Sequence, residues 1–189
     1  MILTLLILAA LIVWLYTLYV RLIKTRNNVL EALSGIDVQL AKRHALVPNL
    51  VETVKGAMAH ERQVLEDVTR LRTEAMTKSV KGDGAEAALS IEAKLAGALD
   101  RLFVSIEAYP DLKTSQNMRD LQRALAEIEA NLSASRRFYN AAAASLKTQC
   151  ETIPSAFIAQ LIAIKPVPFF KADPVMRNVP KVGLSNIED

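Results

Sequence analysis

Apolar positions fall into two rhythms along the chain. From Met1 to Val20 they run almost without a break, with Thr4 and Thr17 the small polar residues and no charged side chain. That run is about long enough for a helix to cross a hydrocarbon core of roughly 30 Å. From Val29 onward the spacing changes to steps of three and four, through Leu33, Ile36, Leu40, Val47, Leu50 or Val51, Val54, Met58, Leu65, Val68 and Leu71 or Arg72. The spacing predicts a helix that packs one face on partners as far as about Ser79. The stripe is interrupted near Arg43 and His44 and again near Glu61. Pro48 lies inside it and has no N–H to give to the carbonyl of Arg43 or His44 one turn earlier, so a kink is expected there. Two shorter helices meeting near Val47 are the alternative. Glu66, four residues from both Arg62 and Arg70, predicts ion pairs on the outer face.

Lys81-Gly82-Asp83-Gly84 has the composition of a turn. A second helix runs from about Ala85 to Ala108, with Ile91, Leu95, Leu99, Leu102 and Ile106 as its apolar face. Tyr109-Pro110-Asp111 stops it, because proline disfavours a helical residue before it. Ser115 suits an N-cap for a third helix, which carries Met118, Leu121, Leu125, Ile128, Leu132, Ser135, Tyr139, Ala142 and Leu146 in a regular heptad run up to Pro154. Ile158 to Ile164 predicts one more short helix. Five of the seven prolines fall after Glu151, so an extended, irregular tail is expected from Lys165, anchored by Phe169 and Phe170 or else disordered with both rings exposed.

These elements predict an all-α fold: an N-terminal transmembrane helix, then an antiparallel bundle of three long helices and a short fourth, then an irregular tail. The segments are 1–26 for the anchor and its basic flank, 27–164 for the bundle and 165–189 for the tail. Ala9-Ala10 lies within the apolar run rather than after it, which favours a retained anchor over a cleaved signal peptide. Trp14, Tyr16 and Tyr19 gather at its far end, where amphipathic rings sit at headgroup depth, and Arg21, Lys24 and Arg26 come next, before any acid. The positive-inside rule then places the N-terminus outside and the body in the cytoplasm.

Those three basic residues equal the whole net charge of +3, so the remaining body is neutral. With only 5% aromatic residues it lacks the basic patch and stacking rings of a nucleic-acid reader. The solitary Cys150 cannot form an internal disulfide, which is compatible with a reducing compartment.

Candidate chemistry is sparse. His60-Glu61 begins like a zinc-protease motif, but Val64 stands where the second histidine belongs. No Glu-x-x-His pair, glycine-framed serine or glycine-rich phosphate loop occurs, so neither a catalytic set, a metal site nor a cofactor site is assigned. The unusual cluster is Asp37, Gln39, Lys42, Arg43, His44, Asn49 and Glu52 around Pro48. Arg43 falls near the inward stripe, so it either snorkels with Lys42 to water or enters a polar network with Glu107, Asp111 or Asn117 from the facing turn.

The wording of several blocks adds a further indication. Ile36-Asp-Val-Gln-Leu and Lys42-Arg43-His44-Ala-Leu-Val-Pro48-Asn49-Leu-Val-Glu52-Thr-Val-Lys55-Gly56 closely resemble the LemA family of bacterial membrane proteins. The resemblance continues through His60-Glu61, Glu107-Ala-Tyr109-Pro110-Asp111-Leu-Lys113, Leu121-Gln122 with Glu127 and Glu129, and Arg136-Arg137-Phe-Tyr139-Asn140. Where the family often repeats a Tyr-Asn pair seven residues after the first, this chain has Leu146-Lys147. The resemblance implies a long-helix bundle behind one membrane span and no established enzymatic activity. It also points to membrane organisation, including that of magnetosome membranes.

The resulting expectation is a non-enzymatic scaffold in the bacterial cytoplasmic membrane, touching the lipid bilayer, self-associating as a homo-oligomer and recruiting membrane-protein partners, with no nucleic acid. Tyr109, Asp111, Arg136, Tyr139 and Asn140 join the cluster near Arg43 as candidate interaction residues. An enzyme or metal protein built around Arg43 and His44, and an envelope sensor, are the alternatives.

Overall fold

The apolar segment and the first bundle helix form one element. In the computed structural model, which describes residues 1–78 and 85–170, α1 runs unbroken over Ile2–Lys55. At 1.5 Å per residue it is about 80 Å long. Its N-terminal part is apolar enough to cross a membrane and buries nothing against the rest of the chain. Its C-terminal part buries Leu22, Val29, Ala32, Ile36, Leu40, Val47, Leu50 and Val54, the three-four stripe of the sequence.

The chain reverses at Gly56–Glu61 into α2 (Arg62–Thr77), then continues through α3 (Ala85–Ile106), the short α4 (Pro110–Thr114), α5 (Gln116–Glu151) and α6 (Ser155–Leu161). All regular structure among the described residues is helical. The expected helix from Val29 to about Ser79 is therefore two helices, and the break lies at Gly56 rather than at Pro48. Met58 keeps the apolar spacing across the reversal because it plugs the core from the turn itself, fully buried. The turn at Lys81–Gly84 lies outside the described residues, as does the tail beyond Phe170.

Ser115 caps α5, its hydroxyl accepting from the Met118 N–H at 3.1 Å, and Pro110 opens α4 at a position where no N–H is needed. The last short helix starts three residues before the expected Ile158. On α2, Arg70 turns to Asp67 at 2.8 Å and Glu74 at 3.9 Å rather than to Glu66.

α5 lies antiparallel along α1. Asn117 donates to Thr53 Oγ1 at 3.2 Å, Arg43 pairs with Glu129, Gly35 faces Ser135, and Gln149 donates to Thr25 Oγ1 at 2.7 Å. The partners descend one helix as they climb the other, so the register holds from the far end of the bundle to the first turns after the apolar segment. α2 and most of α3 cover the far half, with Ala88 of α3 reaching the near half. This divides the apolar interior in two. A distal core joins Val47, Leu50, Val54 and Met58 with Leu65, Val68, Ile91, Leu95, Leu102, Ile106, Met118 and Leu125. A proximal core joins Leu22, Val29, Ile36 and Leu40 with Ala88, Leu132, Tyr139, Leu146 and Ala159.

Candidate functional site

The boundary between the two cores is polar, and its construction begins with Pro48. A proline at this position cannot donate to the carbonyl four residues back, which is that of His44. Arg72 of α2 supplies the missing donor, its Nε reaching the His44 oxygen at 2.7 Å. The helix thus passes through Pro48 with its orphaned acceptor satisfied from a neighbour.

Arg43, one residue earlier, occupies a core position in the series Ile36, Leu40, Arg43, Val47, Leu50, and is 1% exposed. Its guanidinium donates from Nη1 to Glu92 Oε2 at 3.1 Å and pairs through Nη2 with Glu129. The other oxygen of Glu92 lies 2.8 Å from His44 Nε2. Glu92 is itself 3% exposed, while Glu129 reaches solvent. Four helices therefore meet in one layer: Arg43 and His44 from α1, Arg72 from α2, Glu92 from α3 and Glu129 from α5. A buried guanidinium is tolerated because two carboxylates share its charge, and its fork geometry fixes both acceptors.

On one side this layer opens to a cleft of about 470 Å³ lined by Asp37, Ala41, His44, Arg72, Met76, Lys78 and Glu92. Two cations, Arg72 and Lys78, and two carboxylates, Asp37 and Glu92, share its wall with apolar side chains, so neither sign predominates. Among the described residues, no three His, Cys, Asp or Glu side chains gather as a metal-binding group.

The facing residues expected for Arg43 lie elsewhere. Asn117 stands beside Thr53, Glu107 pairs with Lys113, and Asp111 sits exposed in the first turn of α4. Their distance from Arg43 results from the reversal at Gly56, which places the α3–α4 corner against the end of α1. Lys42, Asn49 and Glu52 face solvent, Glu52 meeting Lys55 at 3.4 Å, while Asp37 and Gln39 are half-buried. Tyr109 packs partly against the distal core. Glu92, Glu129 and Arg72 carry the layer, and the sequence pattern alone did not single them out for it. Glu92 had a readable signal, since Ala88, Glu92, Leu95 and Leu99 continue the buried spacing of α3 with a carboxylate in it.

Tyr139, Asn140 and Arg136 belong to a second arrangement near the membrane-proximal end. Asn140 Nδ2 donates to the Phe170 carbonyl at 2.9 Å, and its Oδ1 accepts from the Phe170 N–H at 2.8 Å. Beside it, the Tyr139 hydroxyl donates to the Pro168 carbonyl at 3.1 Å, and its ring meets that of Phe170 edge-on, centroids 4.6 Å apart. The amide of Asn140 thus mimics a strand partner and pins the extended segment 165–170 along α5, with Phe170 as its apolar anchor and Phe169 largely outside. Burial pushes the Tyr139 phenol above its ordinary pKa. Half-buried Cys150 contacts the Ile164 carbonyl at 3.9 Å, and burial, assisted by the Glu151 charge, pushes its thiol up. Arg136 is half-buried on the same helix.

Trp14, Tyr16 and Tyr19 project from α1 with no cover from the bundle, and Arg21, Lys24 and Arg26 are exposed just beyond them.

Comparison with known proteins places these features in a family context. A sequence model described as the LemA family matches residues 32–183, a span containing both the polar layer and the tail clamp. The magnetosome protein MamQ 2 of Paramagnetospirillum magneticum is 24% identical over 163 residues, covering 75% of this chain and 60% of its own. MamQ of Magnetospirillum gryphiswaldense is 22% identical over the same shares. Protein LemA of Metamycoplasma hominis is 26% identical over 157 residues, 82% of this chain and 70% of its own. The chain therefore spans less than two thirds of the length of the magnetosome relatives it matches.

Proposed function

Because the chain belongs to the LemA family, we propose that it acts as a membrane-anchored helical scaffold that self-associates and organises membrane or recruits partner proteins. The observation that carries this reading is the continuity of α1 from the apolar segment to Lys55. A span that becomes a bundle helix without a linker holds the body at a set distance from the bilayer, which a positioning role requires and a tethered enzyme does not. The charged groups of Arg43 and Glu92 are paired with each other inside the bundle, an arrangement that supports its register.

Self-association is supported by Leu30, Val38 and Phe138, apolar side chains of α1 and α5 that remain about half exposed. Arg21, Lys24 and Arg26 favour a cytoplasmic body in a bacterial inner membrane. The magnetosome relatives lend weight to organisation of a structure over turnover of a substrate.

The test is the oligomeric state and membrane effect of the full chain in nanodiscs and liposomes. A defined oligomer that Val38→Glu with Phe138→Glu dissociates is expected, together with altered vesicle shape or clustering. A strict monomer that leaves vesicles unchanged overturns the reading.

A second reading rests on the cleft beside His44 and Glu92, which could hold a small polar ligand or a metal ion. Elemental analysis of the purified protein, with thermal shift against small anions and divalent cations, separates the two. Stoichiometric metal or a saturable shift lost in Arg72→Met favours the ligand.

A further inference from the structure

The end of α5 returns to the base of the bundle, and the next stretch of chain carries no charge: between Glu151 and Lys165 every side chain is neutral. Gln149 is hydrogen-bonded to Thr25, and α6 packs its inner face, Ile158, Ala159 and Ile162, into the cluster that buries Leu22 completely. Its other face is bare. Phe157 is 67% exposed and Leu161, four residues on, 85%, with Ile153 just before the helix at 72%. Exposed apolar side chains so concentrated are unusual on a soluble surface.

Their height identifies what covers them. Leu22, in the cluster that takes in Ile158 and Ala159, lies two residues beyond Val20, and Arg26, beside Ile162, lies six, so α6 covers about 3–9 Å along the axis beyond the end of the apolar run. The headgroup region on each side of a bilayer is about 5–7 Å deep, so the first turn of α6, with Phe157, falls within it and the last turn reaches its outer edge. Around the same level stand Arg21 and Lys24, and Arg26 shares a recess of about 220 Å³ with Lys165, Ile162 and Val167. An apolar ridge ringed by cations is the pattern of a helix that rests in an anionic interface.

We infer that α6 is a second membrane contact, with Phe157 and Leu161 inserted into the headgroup–acyl boundary of an anionic bilayer beside the span. The inference rests on the reading of the apolar segment as spanning, and goes beyond it by giving the bundle a membrane-facing side. One transmembrane helix leaves a body free to rotate about its axis. A ridge inserted beside it removes that freedom and orients the body.

Trp14, the chain's one tryptophan, makes the test direct. The full chain is reconstituted in liposomes of zwitterionic and anionic lipid with brominated acyl chains, as wild type and as Trp14→Phe/Phe157→Trp and Trp14→Phe/Val104→Trp. Val104 is 72% exposed near the far end of α3 and serves as the dry control. The Phe157→Trp reporter is expected to lose emission to bromolipid to an extent comparable with wild-type Trp14, as a ring at the headgroup–acyl boundary does, and the Val104→Trp reporter almost none. If wild-type Trp14 is quenched and the Phe157→Trp reporter is open to acrylamide instead, α6 faces water and the inference is wrong while the anchor stands. If the reporter is shielded from both quenchers, a second copy or another protein covers α6, and the inference is again wrong. If Trp14 itself escapes bromolipid, the spanning reading fails and takes this one with it.

Discussion

Replacing Arg72 by methionine keeps the side chain as far as the position of Nε and removes the donor that reaches the His44 carbonyl. A hydrogen bond from a charged group contributes about 1.5–3 kcal/mol when its loss strands the partner; for this half-buried pair we expect about 2 kcal/mol. In a body of this size each kcal/mol moves Tm by about 2–4 °C, so Arg72→Met lowers it by about 4–8 °C. The link to Pro48 can be tested more sharply. If Arg72 serves the acceptor that Pro48 orphans, Pro48→Ala restores a backbone donor to the same oxygen and halves the cost of losing Arg72. Pro48 is exposed, so its replacement opens no cavity. Far-UV circular dichroism melts of the full chain in detergent, for wild type, the two single variants and the double variant, give the coupling energy. We expect about 1 kcal/mol. Pro48→Ala alone should raise stability, by less than the roughly 3 kcal/mol of an unrelieved interior proline, since Arg72 already offsets part of that cost. Equal destabilisation by Arg72→Met in both backgrounds would refute the reasoning and reduce Arg72 to a packing residue over the cleft.

Glu92→Leu leaves the buried Arg43 with Glu129 alone and should cost about 3–5 kcal/mol, whereas Arg43→Met/Glu92→Leu recovers most of that loss; melts showing the double variant no better than the single contradict the pairing. Asn140→Ala removes both hydrogen bonds to the Phe170 backbone, so proteolysis within 165–170 and exchange of the Phe170 amide should accelerate by roughly tenfold, with α5 unaffected. An unchanged cleavage pattern means the clamp does not hold the tail. Cys150, its thiol pKa raised, should alkylate more slowly at pH 8 than an exposed thiol, with its reactivity midpoint above the ordinary thiol range. Because the folded state holds this proton more tightly, the thiol's contribution to stability is complete below the unfolded value near 8.5 and declines as pH rises through it. Cys150→Ser should remove that part of the alkaline loss.

The helical stripes were legible because each buried residue repeats a constraint that its neighbours share. Val29 to Val54 on α1, Ile91 to Ile106 on α3 and Met118 to Leu146 on α5 are buried where their spacing puts them, except that Ala32 takes the place of half-buried Leu33, Ser135 is half-exposed and Ala143 takes the place of Ala142. The reversal at Gly56 was hidden by Met58, which continues the apolar rhythm from within a turn. That single misreading displaced the expected partners of Arg43. With α1 drawn on to Ser79, the corner at Glu107–Asn117 lies opposite the middle of the helix; with the helix ended at Lys55, that corner meets Thr53 and the middle of the helix meets Glu92 and Glu129. Pro48 shows the opposite case, since its missing donor was readable but the guanidinium that answers it depends on how α2 packs. The grip of Tyr139 and Asn140 on Phe170 depends likewise on a return of the chain after Pro154, which no local pattern announces.

The unbroken α1 also makes the protein a lever. From Val20 to Lys55 it extends about 50 Å beyond the bilayer, and neither glycine nor proline interrupts it between the span and Gly35. Spanning helices tilt by roughly 20° on average, and by more or less as the hydrocarbon thins or thickens around them. A tilt of that size carries the far end of the bundle sideways by about 17 Å. Any change of tilt at the span would thereby be amplified at Gly56 and the corner beside it.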